Sequence, residues 1–217
     1  MRPVAFLDPS AFVVTNLFSS VASPAMLFRE CPGEVALDYR DINSFTSPGE
    51  TLQHMSTDTL NRQAFRRLIW LMPTAFALHI VEEYRGGFPA WVTHVLGGSF
   101  NNRAFAYNNA AFFVILAGLT VWVVRSGSRL AVFLLIAWGS GNIFWDGLFH
   151  VLTTAKYDRY SPGLIASSVL YLPISLIVGA ATLQSKALSV KGFLCALAIG
   201  LSLLVFVIWG GLFHFAI

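Results

Sequence analysis

Long runs of apolar residues alternate with short polar segments over most of the chain. Each run has about the 20 residues that an α-helix needs to cross the hydrocarbon core of a bilayer. The runs occupy about residues 67–85, 107–124, 130–152, 163–183 and 192–215. The pattern therefore predicts an all-α fold, a polytopic membrane helical bundle of about five transmembrane helices.

The polar segments between the runs indicate how the helices follow one another. Residues 125–129, 155–162 and 184–192 are short connections, which are typical of antiparallel neighbours in a helical bundle. The segment 86–106 is longer and rich in glycine and aromatic residues. We expect this segment to form an interfacial helix or a re-entrant cap.

The beginning of the chain has a different pattern. Residues 4–28 are moderately apolar, but Asp8, Pro9 and Pro24 interrupt them and disfavour a transmembrane helix. Residues 29–58 are polar, and such a composition is typical of disorder.

This difference suggests a division of the chain into two parts. Residues 1–60 are predicted to be a disordered or extension segment, and residues 61–217 the transmembrane helical bundle domain. Met55 is followed by a sequence typical of the start of a membrane protein. Residues 1–54 are therefore expected to be an extension or a mis-assigned start.

Composition and charge agree with a membrane protein and exclude one class of partner. Charged residues make up 12% of the chain and hydrophobic residues 56%, whereas a soluble domain carries about 25% charged residues. The net charge is only +3, and no basic run is interleaved with aromatic residues. We therefore expect no nucleic-acid partner.

Lysine and arginine residues near the ends of spans are enriched on the cytoplasmic side of a membrane. The side that includes the start of the first span carries Arg62, Arg66, Arg67, Arg125, Arg129, Lys186 and Lys191. The opposite side carries Arg85, Arg103, Lys156 and Arg159. The asymmetry predicts a multi-pass protein of the cell membrane with a cytoplasmic N-terminus.

Polar residues interrupt the apolar runs at a similar depth in the membrane. His79, Glu82 and Glu83 lie near the end of the first span. In the third span, Asn142, Asp146 and His150 are spaced i, i+4, i+8, so they share one face of a helix. Asn108 and Asn109 begin the second span and His214 ends the fifth. These residues are predicted to meet in one half of the membrane.

Such a cluster predicts a functional site, because each ionisable group inside a span costs about 2.5–3.5 kcal/mol on insertion scales. Two histidines and a carboxylate are a ligand set for zinc or non-haem iron. The sequence predicts His79, Glu83 and His150 as ligands of a divalent metal, and Glu82, Glu83 and Asp146 as catalytic carboxylates. Asn108, Asn109, Asn142 and Tyr160 are predicted to orient the substrate or the catalytic groups.

The activity predicted from this site is hydrolysis or oxidation of a lipid-like substrate that enters from the membrane. Two alternatives stay open at this point. The same groups can act without a metal, as an acid/base isomerase or cyclase of isoprenoid or sterol-like substrates. The protein can also bind lipid or relay protons without catalysis, although the dry inner half of the spans disfavours transport. The expected partner is in every case a membrane lipid or a lipid-like small molecule.

Four sequence elements together resemble a known family. "HIVEEYRGGFPAW" is followed by "YNNAAFF", "GNIFWDGLFH" and "YSPGL". In content and order they are similar to the HXXEE-motif family of small bacterial membrane proteins, over about residues 66–183. The resemblance implies an inner-membrane protein of a bacterium but no particular reaction. It carries over His79, Glu82 and Glu83 directly, and His150 and the segment Tyr160-Ser161-Pro162-Gly163 by position.

Overall fold

Helices and the turns between them make up the part of the chain that the computed structural model describes. This part comprises the backbone of residues 48–214 and the side chains of residue 57 and residues 59–212. Its helices are α1 (Pro48–Leu68), α2 (Leu71–Gly86), α3 (Phe88–Trp91), α4 (Asn102–Ser126), α5 (Arg129–Tyr157), α6 (Leu164–Gln184) and α7 (Val190–Val207).

Several of these helices contain or continue into a π-helical turn, in which the backbone is wider than in an α-helix. The π segments of the described chain are Val92–Leu96 after α3, Ser140–Trp145 within α5, Ser167–Tyr171 within α6 and Ile208–His214 after α7. The segments of α5 and α6 contact each other. Because π-turns occur frequently at functional sites, this contact marks a region of interest.

The described helices confirm the predicted fold class. They form five segments that are long and apolar enough to cross a membrane: Thr59–Gly86, Asn102–Ser126, Arg129–Tyr157, Leu164–Gln184 and Val190–Leu212. The first candidate span begins earlier than predicted, because the end of α1 continues it across the break at residues 69–70.

Polar residues at the helix ends explain where several helices begin. Asn101, Ser128 and Ser189 precede α4, α5 and α7, and each side-chain oxygen accepts a hydrogen bond from a backbone N–H of the first turn. Such caps satisfy N–H groups that have no partner inside the helix. At the other end of α2, Gly87 has a φ of 72°, a left-handed conformation that glycine adopts without strain.

The packing of the helices places α5 at the centre of the bundle. This helix contacts α4 on one side and α7 on another, while α2 contacts both α4 and α6. A buried core that includes Ile69, Leu116, Leu135 and Ile143 joins these helices. A second apolar cluster, with Phe88, Trp91 and Val92 as members, joins α3 to the start of α4 and to Leu212.

The segment predicted to be an interfacial helix or a re-entrant cap contains α3 and its π extension. It is tied to the end of the last helix, because the backbone N–H of Ser99 donates a hydrogen bond to the carbonyl of Leu212 at 2.8 Å. The predicted boundary at residue 60 falls inside α1. Residues 1–47, which make up most of the predicted extension, lie outside the described residues.

Candidate metal centre

Two histidines and two carboxylates from α2 and α5 meet in the interior of the bundle. The Nε2 atom of His79 lies 3.5 Å from Oε1 of Glu83 and 3.4 Å from Oδ2 of Asp146. The Nε2 atom of His150 lies 3.4 Å from the same Glu83 oxygen and 3.7 Å from the same Asp146 oxygen. Both imidazole nitrogens thus face the same two oxygens.

Helical spacing explains why each helix contributes one histidine and one carboxylate on the same face. His79 and Glu83 are four residues apart on α2, as Asp146 and His150 are on α5, so each pair lies on one face of its helix. The packing of the two helices brings the pairs together. Sequence reasoning predicted each pair and its approximate level, and the structure places all four side chains in one cluster.

Burial makes the charges of the cluster energetically costly. His79, Glu83 and His150 are at most 5% exposed, and the Asp146 side chain is 22% exposed. Within the part of the chain that the structure describes, the ion-pair partners of both carboxylates are these two histidines. Burying charge is costly unless it is compensated, so the cluster needs a positive charge from protonated imidazole or from a cation.

A serine and a threonine fix the orientation of His150. The Nδ1 atom of His150 forms a hydrogen bond of 2.8 Å with the hydroxyl of Ser161, which is fully buried. The backbone N–H of Ser161 in turn donates to Oγ1 of Thr154 at 3.1 Å. A partner at Nδ1 holds the ring so that Nε2 faces the carboxylates, an arrangement typical of metal-ligating histidines.

Aromatic rings pack against the imidazole rings of both histidines. Tyr171, from the π segment of α6, stacks on His79 with ring centroids 4.4 Å apart and planes at 30°. Phe88 and Phe149 lie 5.6 Å and 5.3 Å from the His150 ring. Both ring nitrogens of His79 and the hydroxyl of Tyr171 are buried without a hydrogen-bond partner within the described chain.

The turn before α6 approaches the two imidazole rings so closely that only glycine fits. At Gly163 a Cβ atom would lie 2.6 Å from Cε1 of His79 and 2.8 Å from Cε1 of His150. Its φ of 106° is also a conformation that residues with side chains rarely adopt. Pro162 approaches α2 at Gly86, where an added Cβ would lie 2.7 Å from the Cβ of the proline.

Glu82 has different partners from its neighbour Glu83. Its carboxylate accepts hydrogen bonds from the backbone N–H groups of Gly163, Ile165 and Ala166, at 3.2, 3.0 and 2.6 Å. These groups lie at the start of α6, where the partial positive charge of the helix favours an anion. The structure therefore places Glu82 at a helix terminus and not in the histidine–carboxylate cluster.

Tyr160 completes the contacts of Glu82. Its hydroxyl donates a 2.5 Å hydrogen bond to Oε1 of Glu82. Partial burial and then the bond to this carboxylate raise the pKa of Tyr160 to about 12, so the phenol keeps its proton at neutral pH. The predicted role of Tyr160 in orienting a substrate stays a prediction, since its observed partner is Glu82.

A cavity of about 360 Å³ opens beside the cluster. Its polar lining residues are His79, Glu83, Asp146, Asn108, Asn109 and Asn142. Aromatic side chains form much of the wall, among them Phe76, Phe112 and Trp138, and the end of α7 with its π extension closes another side. The three asparagines that were predicted to orient a substrate thus share one cavity with the cluster.

Two of these asparagines present a hydrogen-bond acceptor. The Nδ2 of Asn109 donates to the carbonyl of Phe105 at 3.1 Å, and the Nδ2 of Asn142 donates to the carbonyl of Trp138 at 2.7 Å. Because a backbone carbonyl can only accept, these bonds fix which side of each amide is nitrogen. The amide oxygens are therefore available to a ligand with hydrogen-bond donors.

Sequence reasoning missed one residue of the site and matched two others only by position. Tyr171 had no assigned role, and Ser161 and Gly163 belonged to the matched "YSPG" segment without an assigned contact with the histidines. A tyrosine inside an otherwise apolar span was the signal available for Tyr171. His214 was predicted to approach the cluster, but its side chain lies outside the described residues.

The fold and the site define a class of protein: a polytopic α-helical membrane protein with a buried histidine–carboxylate cluster beside an aromatic cavity. The chain belongs to the family described as "Protein of unknown function with HXXEE motif", whose model matches residues 70–178. The family motif corresponds to His79, Glu82 and Glu83, and the match also includes Asp146 and His150. Searches of curated proteins and of solved structures found no match.

Proposed function

We propose that this protein is a membrane-embedded, metal-dependent enzyme that acts on a lipid-like substrate. His79, Glu83 and His150 bind the metal, and Asp146 is the general base. The observation that carries the proposal is that buried ligand atoms of His79, Glu83 and His150 all lie within 4.8 Å of one another.

This spacing matches the distances between ligands of one ion. A tetrahedral ion with bonds of about 2.1 Å holds its ligand atoms about 3.4 Å apart. Among the proposed ligands, Oε1 of Glu83 lies 3.5 Å from Nε2 of His79 and 3.4 Å from Nε2 of His150. A direct N–H···O hydrogen bond is shorter, at about 2.9 Å. These distances thus support Glu83 and the two histidines as ligands of one ion over direct hydrogen bonds.

The chemistry of the donors supports zinc or non-haem iron. Imidazole nitrogen and carboxylate oxygen suit both ions. A divalent cation would also neutralise the two carboxylates, whose burial in the membrane is otherwise costly. When bound, such an ion would supply a Lewis acid toward the polar group of a substrate.

The different burial of the four side chains separates their roles. His79, Glu83 and His150 are buried, and each offers a ligand atom within 4.8 Å of the other two. Asp146 is not a member of this group: its Oδ2 lies 3.4 Å from Nε2 of His79 and 3.7 Å from Nε2 of His150, and its side chain is more exposed, on the cavity side. This position suits a general base that takes a proton from a reacting group in the cavity.

The cavity supports a lipid-like substrate. Its volume lies within the range of small-molecule sites, about 300–1,000 Å³. Apolar and aromatic walls bind an apolar chain, while Asn109 and Asn142 offer acceptors to a polar group. The lining residues belong to candidate spans or adjoin them, so the substrate is drawn from the bilayer. The proposed reaction is hydrolysis or oxidation of such a molecule.

Metal analysis of the purified protein tests the proposal. The wild type is compared with His150→Ala, which removes a ligand, and with Glu83→Gln, which removes a charge at nearly constant volume. His94→Ala is the matched control, because His94 is exposed and does not line the cavity. Each protein is purified in detergent, incubated with zinc or ferrous iron, washed and analysed by mass spectrometry of the elements.

The expected result is about one ion per chain in the wild type and in His94→Ala, as for a mononuclear site. Both ligand variants should lose the ion while their elution profiles stay monodisperse. A wild type that binds neither metal after incubation would overturn the proposal. It would favour the metal-free alternative, in which the histidines and carboxylates exchange protons with an isoprenoid or sterol-like substrate.

A further inference from the structure

A second, more open groove runs along the outside of the bundle between α2 and α4. Its volume is about 550 Å³, and small residues, Ala77, Ala106 and Ala110, leave room for it. Val81 and Tyr84 line it and are 49% and 66% exposed. Both helices belong to candidate spans. The groove therefore faces the surroundings of the bundle, which for a spanning helix are lipid.

The groove and the cavity lie on opposite sides of the same part of α2. His79 and Glu83 face the cavity, while Ile80, Val81 and Tyr84 face the groove. Asn109 on α4 lines both spaces, and it alone does so among the residues that line them. Asn109 is thus the residue at which the lipid-facing groove adjoins the cavity beside the cluster.

The mouth of the groove carries an uncompensated positive charge. Arg85, in the last turn of α2, lines the groove together with Asn102 at the start of α4. Arg85 makes no ion pair within the part of the chain that the structure describes. Its nearest carboxylates in sequence have other partners, since Glu82 binds the start of α6 and Glu83 faces the histidines.

We propose that the groove binds an anionic glycerophospholipid of the bilayer and admits it to the cavity. The headgroup phosphate lies at Arg85, an acyl chain lies along Ala77 and Ala110, and the chain enters the cavity past Asn109. The inference rests on the proposed function for what happens to the lipid in the cavity. It does not depend on a metal for binding.

Charge and depth argue for this occupant. From Arg85 to Ala77 the groove follows α2 for about 12 Å at 1.5 Å per residue, so it leads from the helix end into the span. A cation near the membrane surface attracts anionic lipids by about 1 kcal/mol. Apolar walls below a cation match a phospholipid with its headgroup at the boundary and its chain in the hydrocarbon region.

Photo-crosslinking in vesicles tests the route. The probe is phosphatidylglycerol with a diazirine at the end of one acyl chain, and labelled residues are mapped by peptide mass spectrometry. Phosphatidylcholine and a free fatty acid with the same diazirine chain serve as comparison probes. We expect phosphatidylglycerol to label residues of the groove, such as Phe113, and residues of the cavity, such as Phe112.

Two pairs of variants make the test specific. Ala110→Phe fills the groove, and Ala111→Phe adds the same ring at an exposed neighbour that lines neither space. Arg85→Gln removes the cation, and Arg103→Gln removes an exposed one outside the groove. If Ala110→Phe does not fold, Ala106→Leu replaces it.

The expected results distinguish the route from general lipid contact. Ala110→Phe should abolish labelling of cavity residues, and Ala111→Phe should leave it as in the wild type. Arg85→Gln should reduce labelling by phosphatidylglycerol about five-fold, the factor equivalent to about 1 kcal/mol, without changing labelling by phosphatidylcholine. Arg103→Gln should leave both unchanged.

Three results would overturn the inference: equal labelling by the anionic and zwitterionic phospholipids, cavity labelling that survives a filled groove, or labelling by the fatty acid but not the phospholipid. Metal content is measured on the same samples. Correct labelling of a protein that binds no metal would contradict the proposed function alone, and metal binding without labelling would contradict this inference alone.

Discussion

At the residue scale, Gly163 lies so close to the two imidazole rings that a larger residue has no room at this position. A Cβ atom added to Gly163 would overlap the Cε1 atoms of His79 and His150. The neighbouring Ser161 holds His150 by its Nδ1 atom. One short turn therefore supplies both a hydrogen-bond partner and the free space that the histidines need.

Replacement of this glycine should disturb the site more than backbone strain alone would. Gly97→Ala is the control, because Gly97 also has a positive φ, 75°, but an added Cβ would meet nothing within 4 Å. We expect Gly163→Ala to lower the free energy of unfolding by about 2 kcal/mol more than Gly97→Ala, as overpacking does. It should also lower metal occupancy. Equal thermal stability and equal metal content in the two variants would show that the turn does not constrain the rings.

At the scale of the element, adjacent residues of one helix have separate tasks. Successive residues of an α-helix differ by about 100° in direction. On α2 this difference turns Glu83 toward the histidines and Glu82 toward the start of α6. The π segments also contribute to the site. The π segment of α5 ends next to Asp146, and the π segment of α6 carries Tyr171.

The two glutamates of the motif should therefore respond differently to the same substitution. Glu82→Gln removes the anion that the first N–H groups of α6 bind, so we expect it to lower the free energy of unfolding by about 1 kcal/mol. Metal occupancy should be retained. Glu83→Gln should lose the metal. Thermal unfolding and elemental analysis of both proteins provide the measurement, and loss of metal in both would assign Glu82 to the centre as well.

At the scale of the whole molecule, the site lies toward one end of the bundle, close to the segment with α3. Phe88 of α3 is near His150, and the π extension of α7 lines the cavity. The direction of the bundle in the membrane is predicted from lysine and arginine positions alone. That prediction places α3 and the mouth of the lipid groove on the side away from the cytoplasm.

Accessibility of single cysteines tests this orientation. In a variant with Cys31 and Cys195 replaced by alanine, Ser126→Cys marks the predicted cytoplasmic side and Arg159→Cys the opposite side. A membrane-impermeant maleimide added to spheroplasts should modify the cysteine at position 159. It should reach the cysteine at position 126 only after the membrane is permeabilised, and the reverse pattern would invert the orientation.

Local patterns in the sequence determined the all-α fold, the five spans and the level of the polar residues. Hydropathy and helical periodicity act over one or two turns, so His79 with Glu83, and Asp146 with His150, could be paired from spacing alone. The family was also identified from its motifs, in particular "HIVEE" and "GNIFWDGLFH".

Only the tertiary structure decided how these pairs are combined and supported. Glu82 and Ala166 are 84 residues apart, so no local pattern could assign that carboxylate to a helix start. The stacking of Tyr171 on His79 and the approach of Gly163 to both rings likewise depend on how α6 packs against α2 and α5. Periodicity gives the face of a helix on which a side chain lies, but its partner is set by the packing of helices that are distant in sequence.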